Sequence, residues 1–311
     1  MYGPKSQRDI SPGLRKIVCV ICAYNEERFI GSVVLSARQV AHTVIVVDDG
    51  SVDGTAEIAE AAGAVVVRHE HNRGKGVALN SGLARARATD AEAVVILDGD
   101  GQHMTKEIPA VAAPILNGEA DVVVGSRYLG DHTSVPLVRI IGHRAFTFLT
   151  NAFSDTRATD SQSGFRAFSR RALEAIHLSS KGFSAESEMQ FIIRERNLRL
   201  IEVSINGYYP DKPKRPIVVH GLVVLNGVLQ LVGQYRPLFF FGVPGLVALL
   251  AGLGYGLMVV SIYGRTQNLA VGYALICVLL TILGGLMLFT GIMLHSVRGL
   301  LIELVRPHQR E

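Results

Sequence analysis

Charged side chains are scarce. Asp, Glu, Lys and Arg make up only 19% of the 311 residues, against 49% hydrophobic residues. A soluble enzyme of this size carries about a quarter charged residues, so the shortage excludes a wholly soluble chain and a disordered one, and implies membrane segments. Cysteine is nearly absent as well. The chain has three, Cys19, Cys22 and Cys277, which excludes a disulfide-built secreted scaffold. The Cys19-x-x-Cys22 spacing suggests a redox or zinc pair only superficially, because it falls inside the apolar run 17–23. Residues three apart on a strand point to opposite faces, and no second pair completes a zinc site. Excess charge of one sign is also small: 31 basic against 27 acidic residues leaves +4, too little to imply nucleic acid as a partner. Residues 1–16 are polar and lack the apolar core of a signal peptide.

What is present, from 17 to 126, is an alternation of short apolar runs with helix-like stretches. The runs 17–23, 43–47, 64–67, 93–97 and 121–125 are continuous in Val, Ile and Ala, as expected of parallel strands covered on both faces. Amphipathic stretches lie near 30–41, 55–62, 75–88 and 105–117. This βαβα order predicts an α/β fold, a doubly wound, mostly parallel sheet whose ligands bind at the carboxyl ends of the strands. From 136 to 208 the spacing predicts helices near 137–153, 170–177 and 185–196, with strands near 164–168 and 200–205.

The remainder is strongly apolar. Residues 217–235 read as a helix lying along a bilayer surface. Two runs follow, 238–263 and 269–295, with Arg265 the only Asp, Glu, Lys or Arg between Leu238 and Ser296. Each exceeds the roughly 20 residues that cross a bilayer, so together they predict a transmembrane hairpin. Lys212, Lys214, Arg215 and Arg236 precede the hairpin, and Arg298, Arg306 and Arg310 follow it. The positive-inside rule therefore expects both flanks, and the domain before them, in the cytoplasm. The expected organisation is a domain at 1–215, an interfacial amphipathic helix at 216–236, two transmembrane helices at 237–296 and a cytoplasmic tail at 297–311.

The polar motifs fall at the strand ends. The first strand runs into Ala23-Tyr24-Asn25-Glu26 and the second into Asp48-Asp49-Gly50-Ser51-Val52-Asp53-Gly54-Thr55. A carboxylate at a strand tip can hydrogen-bond a base or ribose while the chain turns into a helix, although Asp53 and Thr55 also suit a helix cap. In Asn72-Arg73-Gly74-Lys75-Gly76 two glycines flank a lysine at a helix start, where a phosphate can approach. The fourth strand leads into Asp98-Gly99-Asp100-Gly101-Gln102. In an extended segment positions 98, 100 and 102 share a side, so hard oxygen ligands converge as Mg2+ or Mn2+ requires. An EF-hand is excluded, because no glutamate stands at loop position 12 from either aspartate.

These segments together resemble family 2 glycosyltransferases of the GT-A fold, and more narrowly the polyprenyl-phosphate hexosyltransferases, the dolichol-phosphate mannose synthase group. The resemblance covers about residues 15 to 215. It implies that Ala23, Tyr24, Glu26, Asp48, Asp49, Lys75, Asp98 and Gly99 bind a nucleotide sugar, and that Asp98, Asp100 and Gln102 hold Mg2+ or Mn2+ on its diphosphate. It implies an acceptor-phosphate site at Arg127, Arg139 and His143, followed by the basic stretch Lys212, Lys214 and Arg215. Asp100, Arg127 and Arg139 are then the catalytic set. Segments 160–166 and 183–188 resemble those around the family's sugar pocket. Cys22 departs from the family's usual Pro and His143 from its Ser.

The chemistry implied is transfer of a hexose from a GDP- or UDP-sugar to dolichyl or undecaprenyl phosphate at a membrane, for glycan or glycoprotein assembly, with a homo-oligomer left open. An acceptor phosphate is an anion at neutral pH (second pKa about 6) and needs no strong base. In-line displacement inverts the anomeric centre. In a competing reading Arg127 pairs with a nearby carboxylate and the basic stretch meets anionic lipid. In another, the acceptor is a lipid hydroxyl such as that of diacylglycerol, with Glu186, Glu188 or Asp160 as base. A processive polysaccharide synthase is disfavoured: such enzymes carry a Gln-x-x-Arg-Trp motif, and this chain has no tryptophan.

Overall fold

The computed structural model describes residues 17–129, 143–144, 146–148, 150–151, 154, 156–179, 185–206, 226, 229–230 and 232–305. The expectations for Arg139, Lys212, Lys214 and Arg215, and for most of 217–235, lie outside these residues. The chain divides into two compact units, Met1–Val228 and Leu229–Glu311.

The first unit is built on a seven-stranded sheet. In chain order it contains β1 (Ile17–Ala23), α1 (Glu27–Ala37), β2 (Thr43–Asp48), α2 (Thr55–Ala61), β3 (Val65–Arg68), α3 (Lys75–Arg87) and β4 (Ala93–Asp98). There follow α4 (Ile108–Leu116), β5 (Val122–Ser126), β6 (Arg166–Phe168), α5 (Arg170–Ala175), α6 (Ala185–Glu195) and β7 (Leu200–Ser204). The strand order is β3-β2-β1-β4-β6-β5-β7. Every pairing is parallel except those of β6, which runs antiparallel between β4 and β5.

The apolar runs are continuous because both faces of the sheet are covered. Along β1, Ile17, Cys19, Ile21 and Ala23 pack with Ile30, Val33 and Val34 of α1 and with Ile108 and Val111 of α4. Val18 and Val20 pack on the other side, with Leu79 and Leu83 of α3 and Leu173 and Met189 beyond. Each fully buried aliphatic side chain contributes roughly 1.5–3 kcal/mol relative to exposure, so both layers are committed to this sheet. The approach of α3 depends on Gly82, where a Cβ would lie 2.4 Å from Val20 Cγ1. That close packing sets where the first residue of α3, Lys75, stands at the sheet's carboxyl edge. Cys19 and Cys22 are free thiols, and burial pushes Cys19 up to about 12.

The three-residue β6 contains a fully buried arginine, Arg166. Its Nε donates to the Ser163 carbonyl at 2.9 Å and its Nη2 to the Ser161 carbonyl at 2.7 Å, so it holds the preceding segment against the sheet. Burial lowers it to about 10, while Glu186, Asp160 and Glu202 favour its charge.

In the second unit, α7 (Val243–Thr266) and α8 (Val271–Val305) are joined by a turn at 267–270, and α7 follows a short π-helical turn, Leu238–Gly242. The spans Leu238–Thr266 and Val271–Leu300 have mean hydropathies of 2.1 and 2.5 and are long and apolar enough to cross a membrane. Only 11% of each apolar window is buried. A core helix of a soluble domain would be mostly covered, so these faces are built for an apolar surrounding. The two helices meet through glycines: a Cβ on Gly245 would lie 2.6 Å from the Leu288 amide, and one on Gly284 2.5 Å from that of Leu249. At the near end of the hairpin, the Arg298 guanidinium lies 4.9 Å from the centre of the Tyr235 ring.

Candidate active site

Strand register brings the motifs to one level. Ala23 pairs with Asp48 across β1 and β2, and Cys22 with Asp98 across β1 and β4. The ladders continue one step further, with the Asp49 amide donating to the Ala23 carbonyl at 2.9 Å and the Gly99 amide to the Cys22 carbonyl at 3.0 Å. Residues 24–26, 49–55 and 98–102 therefore leave the sheet side by side, where a doubly wound sheet receives ligands.

The first two turns are braced against each other. The Asn25 amide donates to Ser51 Oγ at 2.9 Å, and the Val52 amide returns a bond to Asn25 Oδ1 at 3.0 Å. The Glu26 amide donates to Thr55 Oγ1 at 2.8 Å, and the Gly54 amide to Glu27 Oε2 at 3.0 Å. Asp53 accepts from the amides of Glu27 and Thr55, at 3.2 and 3.1 Å. Asn25, Asp53 and Thr55 are thus braces of the platform, which leaves Tyr24 (43% exposed) and the half-buried Glu26 at its open side.

The two adjacent aspartates divide their work. Asp48 is fully buried, with Oδ1 accepting the Ser51 amide at 3.0 Å. Its Oδ2 makes no hydrogen bond and faces Arg68 Nε at 3.4 Å. Asp49 turns inward: Oδ1 accepts the Arg73 amide at 3.1 Å and meets His69 Nδ1 at 2.7 Å, while Oδ2 accepts the Gly74 amide at 2.8 Å. His69 Nε2 in turn lies 2.9 Å from Ser81 Oγ on α3. The carboxylate read as a nucleotide ligand is therefore also the tether of the 72–74 segment. Gly50, at φ +75°, makes this crossing possible, since a Cβ there would sit 2.3 Å from the carbonyl carbon of His71.

Lys75 sits between two carboxylates. Its Nζ is 2.7 Å from Asp98 Oδ1 and 2.7 Å from Glu186 Oε1. Burial alone disfavours the ammonium, but Asp98 and Glu186 hold its pKa well above the ordinary lysine value. Burial likewise opposes the charge on Asp98, and Lys75 outweighs it, so that carboxyl lies below its ordinary value. Among the described residues Asp100 makes no such ion pair: burial, then the neighbouring charge of Asp98, pushes it up to about 6. Its Oδ1 accepts the Gln102 amide at 3.0 Å. His103, buried against the Phe165 ring, is pushed down to about 4 by burial and is neutral. Gly164 closes over the pair, because a Cβ there would meet Asp98 Oδ2 at 2.8 Å and Lys75 Nζ at 3.2 Å.

The donor set fits a hard divalent cation. Two carboxylates stand close enough for one to raise the other, and Gln102 follows on the same turn. Among the described residues no three His, Cys, Asp or Glu side chains converge as a cage. That suits an ion that keeps waters and shares a diphosphate, rather than one enclosed by protein.

A third cluster surrounds Asp160, which is fully buried. Arg127 Nε and Nη2 donate to its two oxygens at 2.6 and 2.8 Å, and the Arg127 amide donates at 3.2 Å. Burial would raise Asp160, but the bonds and charge of Arg127 hold it below its ordinary value. The carboxylate pairing weighed for Arg127 in the sequence is thus formed. His143 Nδ1 lies 2.7 Å from the Tyr128 hydroxyl, beside this pair. Lys75 and Glu186 each carry a sequence signal but their pairing does not, and His69 and Tyr128 have no local sequence signal as parts of the site; each of these contacts joins separate segments.

Residues 18–176 match the family described as Glycosyl transferase family 2. The chain belongs to that family. Its sheet, with β6 reversed among parallel strands, is the family's GT-A fold, and the chain is a glycosyltransferase. Among its relatives, UDP-N-acetylglucosamine--dolichyl-phosphate N-acetylglucosaminyltransferase of Methanococcus voltae is 33% identical over 217 residues, covering 63% of this chain and 86% of that one. A dolichyl-phosphate hexose transferase of Haloferax volcanii is 30% identical over 190 residues, covering 60% and 81%. Among solved structures, glucosyl-3-phosphoglycerate synthase of Mycobacterium tuberculosis, in complex with Mn2+, UDP and glucosyl-3-phosphoglycerate, superposes with a TM-score of 0.57 at 25% identity, covering 71% and 80%.

Proposed function

We propose that this family 2 glycosyltransferase transfers a hexose from a nucleotide sugar to a polyprenyl phosphate of the dolichyl or undecaprenyl type, at the cytoplasmic face of a membrane. One observation carries the choice of acceptor. The three carboxylates weighed as a general base for a hydroxyl are already engaged: Asp160 by Arg127, Glu186 by Lys75, and Glu188 by the Ser179 amide at 2.7 Å. A carboxylate held by a cation or by hydrogen-bond donors is a weaker base, which favours an acceptor that brings its own nucleophile, as a phosphate monoester does. The two dolichyl-phosphate transferases among the relatives support the same class of acceptor.

In this reading Tyr24, Glu26, Asp48 and Asp49 receive the base and ribose, and Asp49 also keeps the 72–74 segment in place. Asp98, Asp100 and Gln102 hold Mg2+ or Mn2+, as the solved relatives with either ion and UDP support. A bound cation of this kind neutralises the charge that develops on the leaving nucleoside diphosphate. Lys75 and Glu186 border the same space beside the transferred sugar. Arg127, its plane fixed by two bonds to Asp160, meets the acceptor phosphate together with His143. Arg139 and the Lys212, Lys214 and Arg215 stretch complete that end of the site in this proposal. Direct displacement gives a β-linked product from an α-linked donor. The hairpin Leu238–Leu300 keeps the enzyme at the bilayer where its acceptor lies.

The test is transfer in detergent from labelled GDP-mannose, UDP-glucose and UDP-N-acetylglucosamine, each with dolichyl or undecaprenyl phosphate and Mn2+ or Mg2+. Label in an organic-soluble, mild-acid-labile product is expected with one donor, with the anomeric configuration inverted by NMR. Label that instead enters a diacylglycerol product overturns the acceptor, and a retained configuration overturns the displacement.

A further inference from the structure

Glu202 stands in the middle of β7, in register with Val124 of β5, and reaches back to the segment that carries Asp160. Its Oε1 accepts the Thr159 amide at 2.8 Å, the Thr159 hydroxyl at 3.1 Å and the Asp160 amide at 3.2 Å. Its Oε2 accepts the Thr159 amide at 2.9 Å. The Thr159 hydroxyl also meets Ser126 Oγ at 2.6 Å, at the end of β5, and that hydroxyl accepts the Tyr128 amide at 3.2 Å. One carboxylate on a sheet strand therefore fixes the backbone from which Asp160 projects. The neighbouring links tie the same backbone to the turn that carries Arg127 and Tyr128.

The position is electrostatically poor for an acid. Burial raises Glu202, the negative charge of Asp160 raises it further, and the amide and hydroxyl donors of Thr159 and Asp160 oppose them without cancelling them. What the position supplies is geometry: a rigid strand sets a loop, the loop sets Asp160, and Asp160 sets the guanidinium plane of Arg127.

We propose that Glu202 is a positioning residue for the acceptor end of the site. Through the Thr159–Asp160 backbone it fixes the orientation in which Arg127 receives the phosphate of the lipid acceptor. This rests on the acceptor role of Arg127 given above. A displacement of about 1 Å in a positioned group can cost up to about 100-fold. Loss of the Glu202 contacts is therefore expected to weaken acceptor binding about tenfold, without touching the nucleotide.

The experiment uses the full-length protein in detergent and measures the affinity for dolichyl phosphate separately from that for UDP and GDP, each with Mn2+. Glu202→Ala is expected to weaken dolichyl phosphate about tenfold and to leave nucleotide affinity within about twofold. Glu202→Gln, which keeps the Oε1 acceptor that takes three of the four contacts, is expected to recover to within about threefold. Glu202→Asp, withdrawn by about one C–C bond (~1.5 Å), is expected to behave like alanine. On an Arg127→Ala background Glu202→Ala is expected to add less than about twofold, because the two act through one contact. Should Glu202→Ala fail to fold, the Gln and Asp variants carry the same comparison.

Parallel loss of nucleotide and acceptor affinity, full multiplication of the two single effects, or normal acceptor binding in Glu202→Asp would each overturn the positioning role. An Arg127→Ala variant that binds dolichyl phosphate normally overturns the underlying acceptor reading instead, and the positioning role with it.

Discussion

Lys75→Met removes the ammonium from between Asp98 and Glu186 while keeping a side chain of similar length. Both contacts are 2.7 Å, and the side-chain exposures are 20% for Lys75, 29% for Asp98 and 7% for Glu186. Breaking a fully buried pair costs about 3–5 kcal/mol; partial exposure of Lys75 and Asp98 screens it, so about 3 kcal/mol is expected here. For a unit of roughly 200 residues that is a fall in Tm of about 6–12 °C. The pH dependence has a definite sign. In the native chain Asp98 is held below its ordinary value, so it contributes stability above about pH 4 that is lost on acidification. In the variant, burial acts on Asp98 with only the more distant Arg127 charge opposing it. The charged forms then oppose folding, and protonation relieves them. The Tm deficit should be greatest at pH 7–8 and narrow towards pH 5. The chain has no tryptophan, but Cys19 is buried in β1 until the sheet opens, while the half-buried Cys22 adds to the early signal. A thiol-reactive dye therefore reads the melt, with Cys277 supplying an early baseline. A Tm within 2 °C of the native chain, or a deficit that widens on acidification, would refute this account of Lys75.

Asp100→Ala is expected to abolish Mn2+-dependent UDP binding and sugar transfer together, as read by calorimetry and by the donor assay; retained metal-dependent heat would remove Asp100 from the cation's ligands. Gly50→Ala places a methyl carbon 2.3 Å from the His71 backbone and forces an alanine to φ +75°. The left-handed strain alone is about 1–2 kcal/mol, so the same melt should fall by at least about 4 °C with weakened nucleotide binding. An unchanged melt would mean the 69–74 segment yields freely.

The fold is most legible in the sequence where a signal is local. The strands β1, β2, β4 and β5 start and stop within about a residue of their apolar runs, because burial on both faces leaves continuous Val and Ile. The Asp98-Gly99-Asp100 turn was legible for the same reason: its residues are neighbours in the chain. β6 was expected as a longer strand of no stated direction. It is three residues long, reversed, and begins at the fully buried Arg166, which no periodicity announces. The opposite pull on Asp49, towards Arg73 and Gly74, and the reach of Glu186 to Lys75 and of Asp160 to Arg127 depend on which segments the sheet brings together. The motif marks Asp49 as a nucleotide ligand without showing that it also tethers the 72–74 segment, and leaves Arg127 open between phosphate and carboxylate. Only the packed structure shows the carboxylate already beside it.

The strand order also sets when this enzyme can exist on the ribosome. β5 touches no strand of the nucleotide half; it joins the sheet only through β6, and its other neighbour is β7. A nascent chain that has emerged as far as Ser126 holds the Asp98 and Asp100 turn, yet β4 still has an open edge and β5 no partner at all. The Gly164 segment that closes over Asp98, and the Asp160 that orients Arg127, arrive just ahead of β6. Closure of the sheet between β4 and β5 and assembly of the acceptor end of the site therefore wait for segments that emerge late.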